Sequence, residues 1–249
     1  MVAVSFFVLY KKENETENTK MKEAVALNNE EKTEIDVEKN KENAAEIEKT
    51  ETDKKEIPNK ILIDVPFTSQ APFAVWDEFH EEACEEAAII MVKYFLDGKE
   101  LTPQVAEKEI QSLIKFQIKN YGDYKDSTAK QIAQMYSDFY GQPKNGMKFK
   151  VVYDFQKDDL KKYLSKGNPI IIPAAGRLLK NPYFTPPGPL YHNLVLIGYD
   201  GNNIITNDSG TKRGQNYKYD INILYRAIHD FPGKKEDIEK GRKAMIILE

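Results

Sequence analysis

The stretch "WDEFHEEACEEAAIIMVKYFL", residues 76–96, predicts the central helix of the domain. From Cys84 onward its apolar residues recur at helical spacing, and Ile89 and Ile90 widen the apolar face. A helix with such a face is expected to lie deep inside a domain. Cys84 is the only cysteine of the 249 residues, and it stands in the first turn of this helix, where unpaired backbone N–H groups favour a thiolate.

Two interpretations of Cys84 follow from this position. It is a nucleophile at the positive end of a helix, or it is a small buried residue at the head of an apolar stripe, as free cysteines often are. A single cysteine also excludes an internal disulfide, so it carries no information about the redox compartment.

Outward from this helix, the sequence predicts helices first and mostly strands afterwards. A short strand at 61–67 precedes the helix, and Thr102 opens the next one. A further helix takes Asp126 or Ser127 as its cap. Helices followed by strands predict an α+β fold, in which a helical half packs on a twisted antiparallel sheet. The later segments are predicted strands at 148–155, 168–175, 191–200, 202–208 and 243–249, with helices at 157–167 and 219–231.

A predicted hairpin brings a histidine close to a carboxylate. The turn residues at 200–203 join two strands, and pairing across the turn places His192 opposite residue 209 or 210. Asp208 is then within one or two positions of His192. A carboxylate on one imidazole nitrogen leaves the other free to take a proton from the Cys84 thiol. The same three residues are a poor metal site, because the sequence has neither HExxH nor paired cysteines, so no metal or cofactor is expected.

Other polar residues are weaker candidates for the same chemistry. Gln70, in the loop before Cys84, is placed to donate its amide to a developing oxyanion together with the backbone N–H of Cys84. Asn207 is an alternative orienting residue, and His80 is a competing base. His229 is expected to cap or pack the C-terminal helix.

The segment "GRLLKNPYFTPPGPLYHN", residues 176–193, is rich in Pro, Gly and aromatic residues. It reads as a long loop over the site, and long loops in compact domains are often functional. Tyr183, Phe184 and Tyr191 are therefore predicted to line a substrate groove. Trp76 forms the other wall of the groove or seals the core beside the helix.

The N-terminal part has the layout of an anchor followed by a linker. Residues 1–10 are apolar, about half the roughly 20 residues that a membrane span needs, and read as a clipped membrane anchor or signal, with a frayed terminus as the alternative. Residues 11–59 are charged and predict a disordered or helical linker. The folded domain then spans 60–249. The layout favours an extracytoplasmic protein, membrane-anchored or secreted, with a cytoplasmic one as the alternative.

The charge distribution argues against nucleic acid as a partner. The whole chain has a net charge of −4, and residues 11–60 carry 11 Lys and 15 Asp or Glu, so the remainder is neutral. A neutral domain lacks the basic surface that phosphate binding requires. The expected partner is a peptide or peptide-like substrate, and the expected state is a monomer.

With these residues in hand, the segment 60–249 resembles the papain-like peptidases of cysteine peptidase family thirty-nine, in their stand-alone C39-like branch. The motifs "VPFTSQAPFAVW", "ACEEAAIIMVKYFL", "HNLVLIGYD" and "NDSGTKRGQNYKY" carry the resemblance. It implies a papain-like fold with Cys84 as the nucleophile, His192 as the base, Asp208 as the orienting acid and Gln70 as the oxyanion-hole donor.

The pair that follows the cysteine departs from this family pattern. Many relatives have Gly-Pro or a similar small pair there, whereas this chain has Glu85 and Glu86. Two carboxylates that faced a thiolate would raise its pKa by like-charge repulsion. Helical spacing predicts instead that they point away from the apolar stripe. Lys212 and Arg213 offset this charge, bind a substrate carboxylate or form a solvated basic turn.

The sequence thus predicts a thiol hydrolase that cleaves peptide or peptide-like amide bonds through a Cys-His-Asp triad and an acyl-enzyme. A transferase that uses the same acyl-enzyme is compatible with the same residues. The alternative from another class is a non-catalytic extracytoplasmic domain that binds peptide or glycan on the same fold, which Glu85 and Glu86 favour.

Overall fold

The computed structural model describes residues 57–143 and 146–249, and Ile57–Glu249 forms one compact unit. The predictions for residues 1–10 and for nearly all of 11–59 lie outside the described residues. Within the described part, no helix is long and apolar enough to cross a membrane.

Four helices form the first half of the unit. They are α1 (Glu78–Glu81), α2 (Cys84–Asp97), α3 (Pro103–Tyr121) and α4 (Ala129–Tyr140). Helix α2 is the central one, because every residue of its first nine, from Cys84 to Val92, is buried. It ends at Gly98, whose φ of 61° lies in the left-handed region that glycine adopts without strain.

Helix α3 begins as the sequence predicts. Thr102 accepts a hydrogen bond from the Val105 N–H, and Pro103 occupies the first helical position, where its missing N–H costs nothing. For α4, the predicted cap at Asp126 or Ser127 is wrong. The cap is Thr128, whose side chain and that of Gln131 form a reciprocal capping box.

The second half of the unit is a seven-stranded sheet in which every pairing is antiparallel. The strand order is β2-β7-β3-β4-β5-β6, and β1 pairs with the far end of β4. The α+β prediction is therefore confirmed. The strands are β1 (Lys60–Leu62), β2 (Phe149–Tyr153), β3 (Ile170–Ala175), β4 (Tyr191–Asp200), β5 (Asn203–Asn207), β6 (Tyr217–Asp220) and β7 (Ala244–Leu248).

Two short helices complete the fold, α5 (Asp159–Leu164) and α6 (Ile221–Ala227). The helix predicted at 219–231 begins two residues late, because Tyr219 belongs to β6 and pairs with Ile204 of β5. The strand predicted at 61–67 is also shorter than expected. Beyond Leu62, the chain keeps one sheet-like bond from the Ile63 N–H to the Ile197 carbonyl and then leaves the sheet.

Strand β4 joins the two halves of the molecule. Nine of its ten residues, from Tyr191 to Tyr199, are buried, because β3 and β5 flank it and helix α2 packs on its face. Fully buried strands read as continuous apolar runs, so a polar residue within β4 stands out. His192 and Asn193 are the two polar residues near the start of this strand, at the end that meets the N-terminus of α2.

Candidate active site

Cys84 is the first residue of helix α2 and lies where the helix meets β4. The preceding residue, Ala83, offers no side-chain cap, so the first backbone N–H groups of the helix are not capped in that way. The helix dipole at this end favours negative charge. The thiol is nevertheless buried, with 6% of the residue exposed.

The thiol has two polar contacts. Its Sγ–H donates to Glu85 Oε2 at 2.9 Å, and the Asn193 side-chain N–H donates to Sγ at 3.8 Å. Burial is the first cause that raises the pKa of Cys84 well above its ordinary value, and the charge and hydrogen bond of Glu85 add to it. The sulfur therefore carries its proton at neutral pH in this arrangement.

The two glutamates do not point away from the core, contrary to the sequence prediction. Glu85 is 3% exposed and Glu86 is 0% exposed. They stand one helical turn before Ile89 and Ile90, on the same faces of α2. Because α2 is buried all round over its first half, no face was left on which these carboxyl groups could reach solvent.

Burial raises the pKa of both glutamates. The pKa of Glu85 rises to about 7, against hydrogen bonds from Cys84 and the Ser127 N–H that favour the charged form. The pKa of Glu86 rises to about 8, through burial and the neighbouring Glu85 charge, against a hydrogen bond from Gln117. One carboxyl oxygen of Glu86 is buried without a hydrogen-bond partner within the described residues. Such an oxygen is consistent with a carboxyl group that keeps its proton.

His192 of β4 and Asp208, the residue that directly follows β5, form a buried pair. The imidazole Nε2 lies 2.8 Å from Asp208 Oδ1, and the residues are 2% and 0% exposed. The carboxylate therefore fixes the tautomer that carries its proton on Nε2, which leaves Nδ1 as the basic nitrogen. No hydrogen bond joins Nδ1 to another group within the described ranges 57–143 and 146–249.

The hairpin that makes this pair differs from the prediction in one detail. Tyr199 faces Ile204 rather than Asn202 or Asn203, but a bulge between Leu196 and Gly198 then shifts the register. Past the bulge Val195 faces Asn207. Continuing that register places His192 opposite Gly210, as the sequence predicts, with Asp208 on the diagonal.

Asp208 is held charged by a ring of donors. Tyr219 donates its hydroxyl to Oδ2 at 2.5 Å, Asn181 donates to Oδ2 at 3.0 Å, and the Gly210 N–H donates to Oδ1 at 3.0 Å. Burial acts to raise the pKa of Asp208, but the His192 charge and these hydrogen bonds outweigh it and lower the pKa below the ordinary value.

Gly210 leaves room for the imidazole. A Cβ at this position would lie 2.9 Å from His192 Cε1 and 2.8 Å from Phe184 Cε1, both closer than real contacts allow. Phe184 itself packs edge-on against the imidazole, with ring centroids 5.4 Å apart. The absent side chain at 210 therefore helps to fix where the His192 ring lies.

Gln70 lies at the site, but its side-chain amide donates its hydrogen bonds to backbone carbonyls. Its Nε2 donates to the carbonyls of His80 at 2.8 Å and Glu81 at 3.2 Å, at the end of α1. Its Oε1 is buried without a partner within the described residues. The proposed oxyanion donor would have to release one of these carbonyls first, so that role stays a prediction.

One cavity brings the candidate residues together. It has a volume of about 460 Å³ and opens between the N-terminus of α2 and the loop before β4. Asp208 lies behind His192 and away from the cavity wall, as expected of an orienting group. The lining includes Cys84, His192, Gln70 and all four predicted groove residues, Trp76, Tyr183, Phe184 and Tyr191.

The remaining polar candidates have structural contacts. His80 places Nδ1 at 2.7 Å from Asp77 and Nε2 at 2.9 Å from Glu107, so neither nitrogen is available as a base. His229 lies 2.7 Å from the Gly241 carbonyl. Asn207 donates to the Val65 carbonyl and does not bond His192. Among the described residues, no group of three or more His, Cys, Asp or Glu is placed to hold a metal ion.

The two basic residues of the turn after β5 have no hydrogen bond to the thiol in the described part of the chain. Lys212 lines the cavity and is exposed. Arg213 places its guanidinium 4.9 Å above the ring of Tyr183, a cation–π contact that covers part of the predicted groove wall. Neither side chain bonds to Glu85 or Glu86 in the described part of the chain.

Sequence reasoning missed three residues that contact the site. The contact of Asn193 could have been predicted from the sequence, because a residue next to His192 on a strand faces the opposite side of the sheet, toward the helix. The contacts of Tyr219 and Asn181 could not be predicted from the sequence, because both side chains reach Asp208 through the tertiary packing of β6 and of the loop before β4. No short-range pattern records such contacts.

Three comparisons with known proteins bear on the family of this chain. The sequence profile of the Peptidase C39 like family matches residues 62–230. The crystal structure of a provisionally named C39-like peptidase from Bacillus anthracis is similar, with 15% identity over 75% of this chain and 96% of that chain and a TM-score of 0.47. The comparison with curated proteins gave no match. The matched segment contains α2, β4 and the hairpin that carry the site, and the chain belongs to the Peptidase C39 like family, with its α+β papain-like fold.

Proposed function

We propose that this protein is a thiol hydrolase that cleaves peptide or peptide-like amide bonds. The observation that carries the proposal is that Cys84 and an Asp208-bound His192 line one cavity with aromatic walls. A nucleophile, an oriented base and a groove are the parts that acyl transfer requires. Family membership supports the fold on which these parts stand.

In the proposed reaction, His192 Nδ1 takes the thiol proton and the sulfur attacks the amide carbonyl. The carbon–nitrogen bond breaks as His192 returns this proton to the leaving amine, and an acyl-enzyme remains on Cys84. Water, deprotonated by His192, then releases the acid and restores the thiol. The Asp208 carboxylate stabilises the imidazolium at each stage, because it is held charged before the reaction begins.

The cavity walls favour a substrate with an apolar side chain next to the scissile bond. Tyr183 and Trp76 are both 44% exposed at the rim, and Phe184 lies deeper beside His192. Partly exposed aromatic rings bind apolar side chains or sugar faces with little loss of conformational entropy. A peptide or a peptide-like cell-wall amide fits this lining.

The test compares variants of two of the three histidines, His192 and His229. His192→Asn is expected to lower peptide hydrolysis by about 100-fold or more, since a positioned general base contributes about 10²–10⁴. His229→Asn keeps a donor near the Gly241 carbonyl and should leave hydrolysis within about twofold of the unchanged protein. Equal activity in the two variants would reject His192 as the base.

Covalent labelling tests the nucleophile. A thiol-directed acylating probe should label the native protein once, and Cys84→Ala should abolish the label, because the chain has one cysteine. Label that persists in Cys84→Ala would show that another residue reacts. Release of an aminolysis product rather than the acid, when amines are added, would identify a transferase.

A second function has one observation in its favour. The thiol donates to Glu85, not to His192, so the resting site is not a thiolate–imidazolium pair. A non-catalytic domain that binds peptide or glycan in the same groove would keep such a thiol. Tight binding of a peptide with no hydrolysis and no labelling at any pH would favour this domain. Location outside the cytoplasm, a membrane tether and a monomeric state remain part of the proposal.

A further inference from the structure

We propose that Glu85 is a positioning residue that holds the proton on the Cys84 sulfur at rest, in competition with His192, and that loss of this hydrogen bond precedes formation of the nucleophile. The catalytic meaning of this inference rests on the proposed function. The coupling between the two side chains does not, because it follows from the S–H to Oε2 contact at 2.9 Å.

The acceptor is held in a fixed position. Glu85 Oε1 accepts the Ser127 N–H at 2.9 Å, and the Ser127 carbonyl in turn accepts the Tyr191 hydroxyl at 2.5 Å. These two hydrogen bonds connect α2 to the loop before α4 and to β4. Glu85 is 3% exposed, so water does not compete for its carboxyl group. The carboxyl therefore stays within reach of Sγ as long as these bonds persist.

The titratable groups that face Glu85 are carboxyl groups on α2 and on the loop before α4, and a neutral hydroxyl on β4. Glu86 is its neighbour on α2, and the Asp126 carboxyl faces it from the loop before α4. The Tyr191 hydroxyl approaches from β4. The ammonium of Lys235 binds Asp126 and Glu82 rather than Glu85.

A further carboxylate lies behind this group. Asp230 accepts the Ala129 N–H at the start of α4 and acts on the same Tyr191 hydroxyl. Glu85 is thus a buried carboxyl group among like charges, which raises its pKa to about 7, so that it changes its charge near neutral pH.

The sulfur lies between this acceptor and a donor. The Asn193 amide donates to Sγ from the β4 side, while its Oδ1 is buried without a partner within the described residues. A charged Glu85 keeps the proton on sulfur. A protonated Glu85 would offer an O–H to the sulfur, so the same oxygen would then support a thiolate together with Asn193 and the helix N-terminus.

The step balances as a single proton transfer. The proton leaves Sγ for His192 Nδ1, and the S–H bonding pair stays on sulfur. Glu85 has the same number of protons before and after this transfer. Its own protonation, from solvent, only determines which partner the sulfur prefers.

Glu85→Gln tests the inference by its effect on thiol ionisation. The Gln oxygen can still accept the Ser127 N–H, and its amide then faces Sγ as a donor in place of an acceptor. The pH profile of Cys84 alkylation by iodoacetamide should shift to lower pH by about one unit or more, which is about tenfold faster labelling at neutral pH. An unchanged profile, or a shift to higher pH, would overturn the proposal.

Glu86→Gln is the matched control. It removes an adjacent buried carboxyl group that bonds Gln117 instead of the sulfur. If direct bonding is the cause, Glu86→Gln should shift the alkylation profile clearly less than Glu85→Gln. Equal shifts would show that bulk negative charge, rather than the hydrogen bond, governs the thiol, and the positioning role would fall.

The unaltered protein supplies an independent measurement. With one cysteine in the chain, the infrared S–H stretch reports Cys84 alone. The band should lie at lower frequency while Glu85 is charged, and it should move as the carboxyl protonates near pH 7. A band that does not move between pH 5 and 9 would reject the contact, even if Glu85→Gln failed to fold.

These measurements separate the two proposals. Alkylation and the S–H band require no substrate, so they judge the Glu85 contact alone. If both behave as expected while no peptide is hydrolysed, the proposed hydrolase fails and the Glu85 inference stands. If hydrolysis depends on His192 but neither readout responds to Glu85→Gln, the reverse holds.

Discussion

Two buried carboxyl groups flank the candidate site, and their surroundings give them opposite protonation behaviour. Asp208 is 0% exposed and has a lowered pKa, whereas Glu85 is 3% exposed and has a pKa raised to about 7. Burial alone would raise both. The difference therefore comes from what surrounds each group.

The contacts account for the contrast. Asp208 receives donors from His192, Tyr219, Asn181 and the Gly210 backbone, and the imidazole can become positively charged. Glu85 receives a weak thiol donor and one backbone N–H, and further carboxylates lie beside it. The comparison shows that one carboxylate is held charged beside His192, whereas the other is able to change its charge near neutral pH.

The largest expected effect on activity comes from removing the charge of Asp208. Asp208→Asn should lower kcat/KM for peptide hydrolysis by about 100-fold or more, because an amide does not stabilise the imidazolium as a carboxylate does. Steady-state kinetics with a peptide substrate measure it. Asp200→Asn, at the exposed far end of β4, is the control and should change activity little. Comparable losses in both variants would contradict the role of Asp208.

The two carboxyl groups should also give opposite pH dependences of stability. Glu85 and Glu86 bind protons more tightly in the folded state than at their ordinary pKa of 4.5. The free energy of unfolding should therefore fall as pH rises from 4.5 to about 8, by at least about 2 kcal/mol. Asp208 acts in the other direction, since its contribution is present above pH 3.8 and is lost as pH falls through its lowered pKa.

Urea unfolding between pH 4.5 and 9 measures this dependence. The double variant Glu85→Gln/Glu86→Gln should flatten the fall above pH 4.5. His80 contributes in the same direction, because its raised pKa gives stability that is lost as pH rises through that value. A small slope should therefore remain in the double variant. An unchanged slope would show that the glutamates do not carry the effect.

Removing a hydrogen-bond donor from Asp208 should reduce the difference in pKa between Asp208 and Glu85. Tyr219→Phe removes one hydrogen bond to a buried charge and should lower the free energy of unfolding by about 1.5–3 kcal/mol. Activity should fall as well, since the pKa of Asp208 rises toward that of an ordinary carboxyl group. Tyr217→Phe removes a hydroxyl from the ring that packs on Tyr219 and serves as the control. Thermal unfolding and kinetics that did not distinguish the two variants would contradict the prediction.

The smallest expected effect is a change in the pKa of Glu85 when a neighbouring ion pair is removed. Lys235→Gln leaves Asp126 without its ion pair and should raise the pKa of Glu85 slightly. Lys235 also pairs with Glu82, and both ion pairs are partly exposed, so the cost in stability should be about 0.2–1 kcal/mol for each pair. The S–H band of Cys84 should then move at a slightly higher pH than in the unaltered protein. A shift to lower pH would show that the sign of the electrostatic argument is wrong.

The fold was largely predictable because its signals are local. The apolar run of α2, the Thr102–Pro103 start of α3 and the apolar runs of β4 and β5 are short-range patterns. Errors occur where two short-range signals compete. At the start of α4, three consecutive residues are suitable N-caps. Thr128 is the cap because its side chain and that of Gln131 form reciprocal hydrogen bonds.

The sequence predicted which of the candidate residues come together but not the electrostatics around them. Order along the chain and one hairpin brought Cys84, His192 and Asp208 to a common region. The orientation of Glu85 depended on whether α2 had a solvent-facing side, which is a tertiary property. The adjacent pair Ile89–Ile90, one turn later, carried that information, because two neighbouring apolar residues on different faces indicate a helix buried all round.

The proton that Glu85 keeps on the sulfur also bears on chemical durability. Peroxides and disulfides react with thiolates, and a neutral thiol that is 6% exposed reacts slowly with either. A nucleophile that stood permanently ionised beside an open groove would be oxidised to sulfenic acid and beyond with no second cysteine to rescue it. The hydrogen bond to Glu85 therefore acts as a reversible cap that preserves the sulfur in its reduced form.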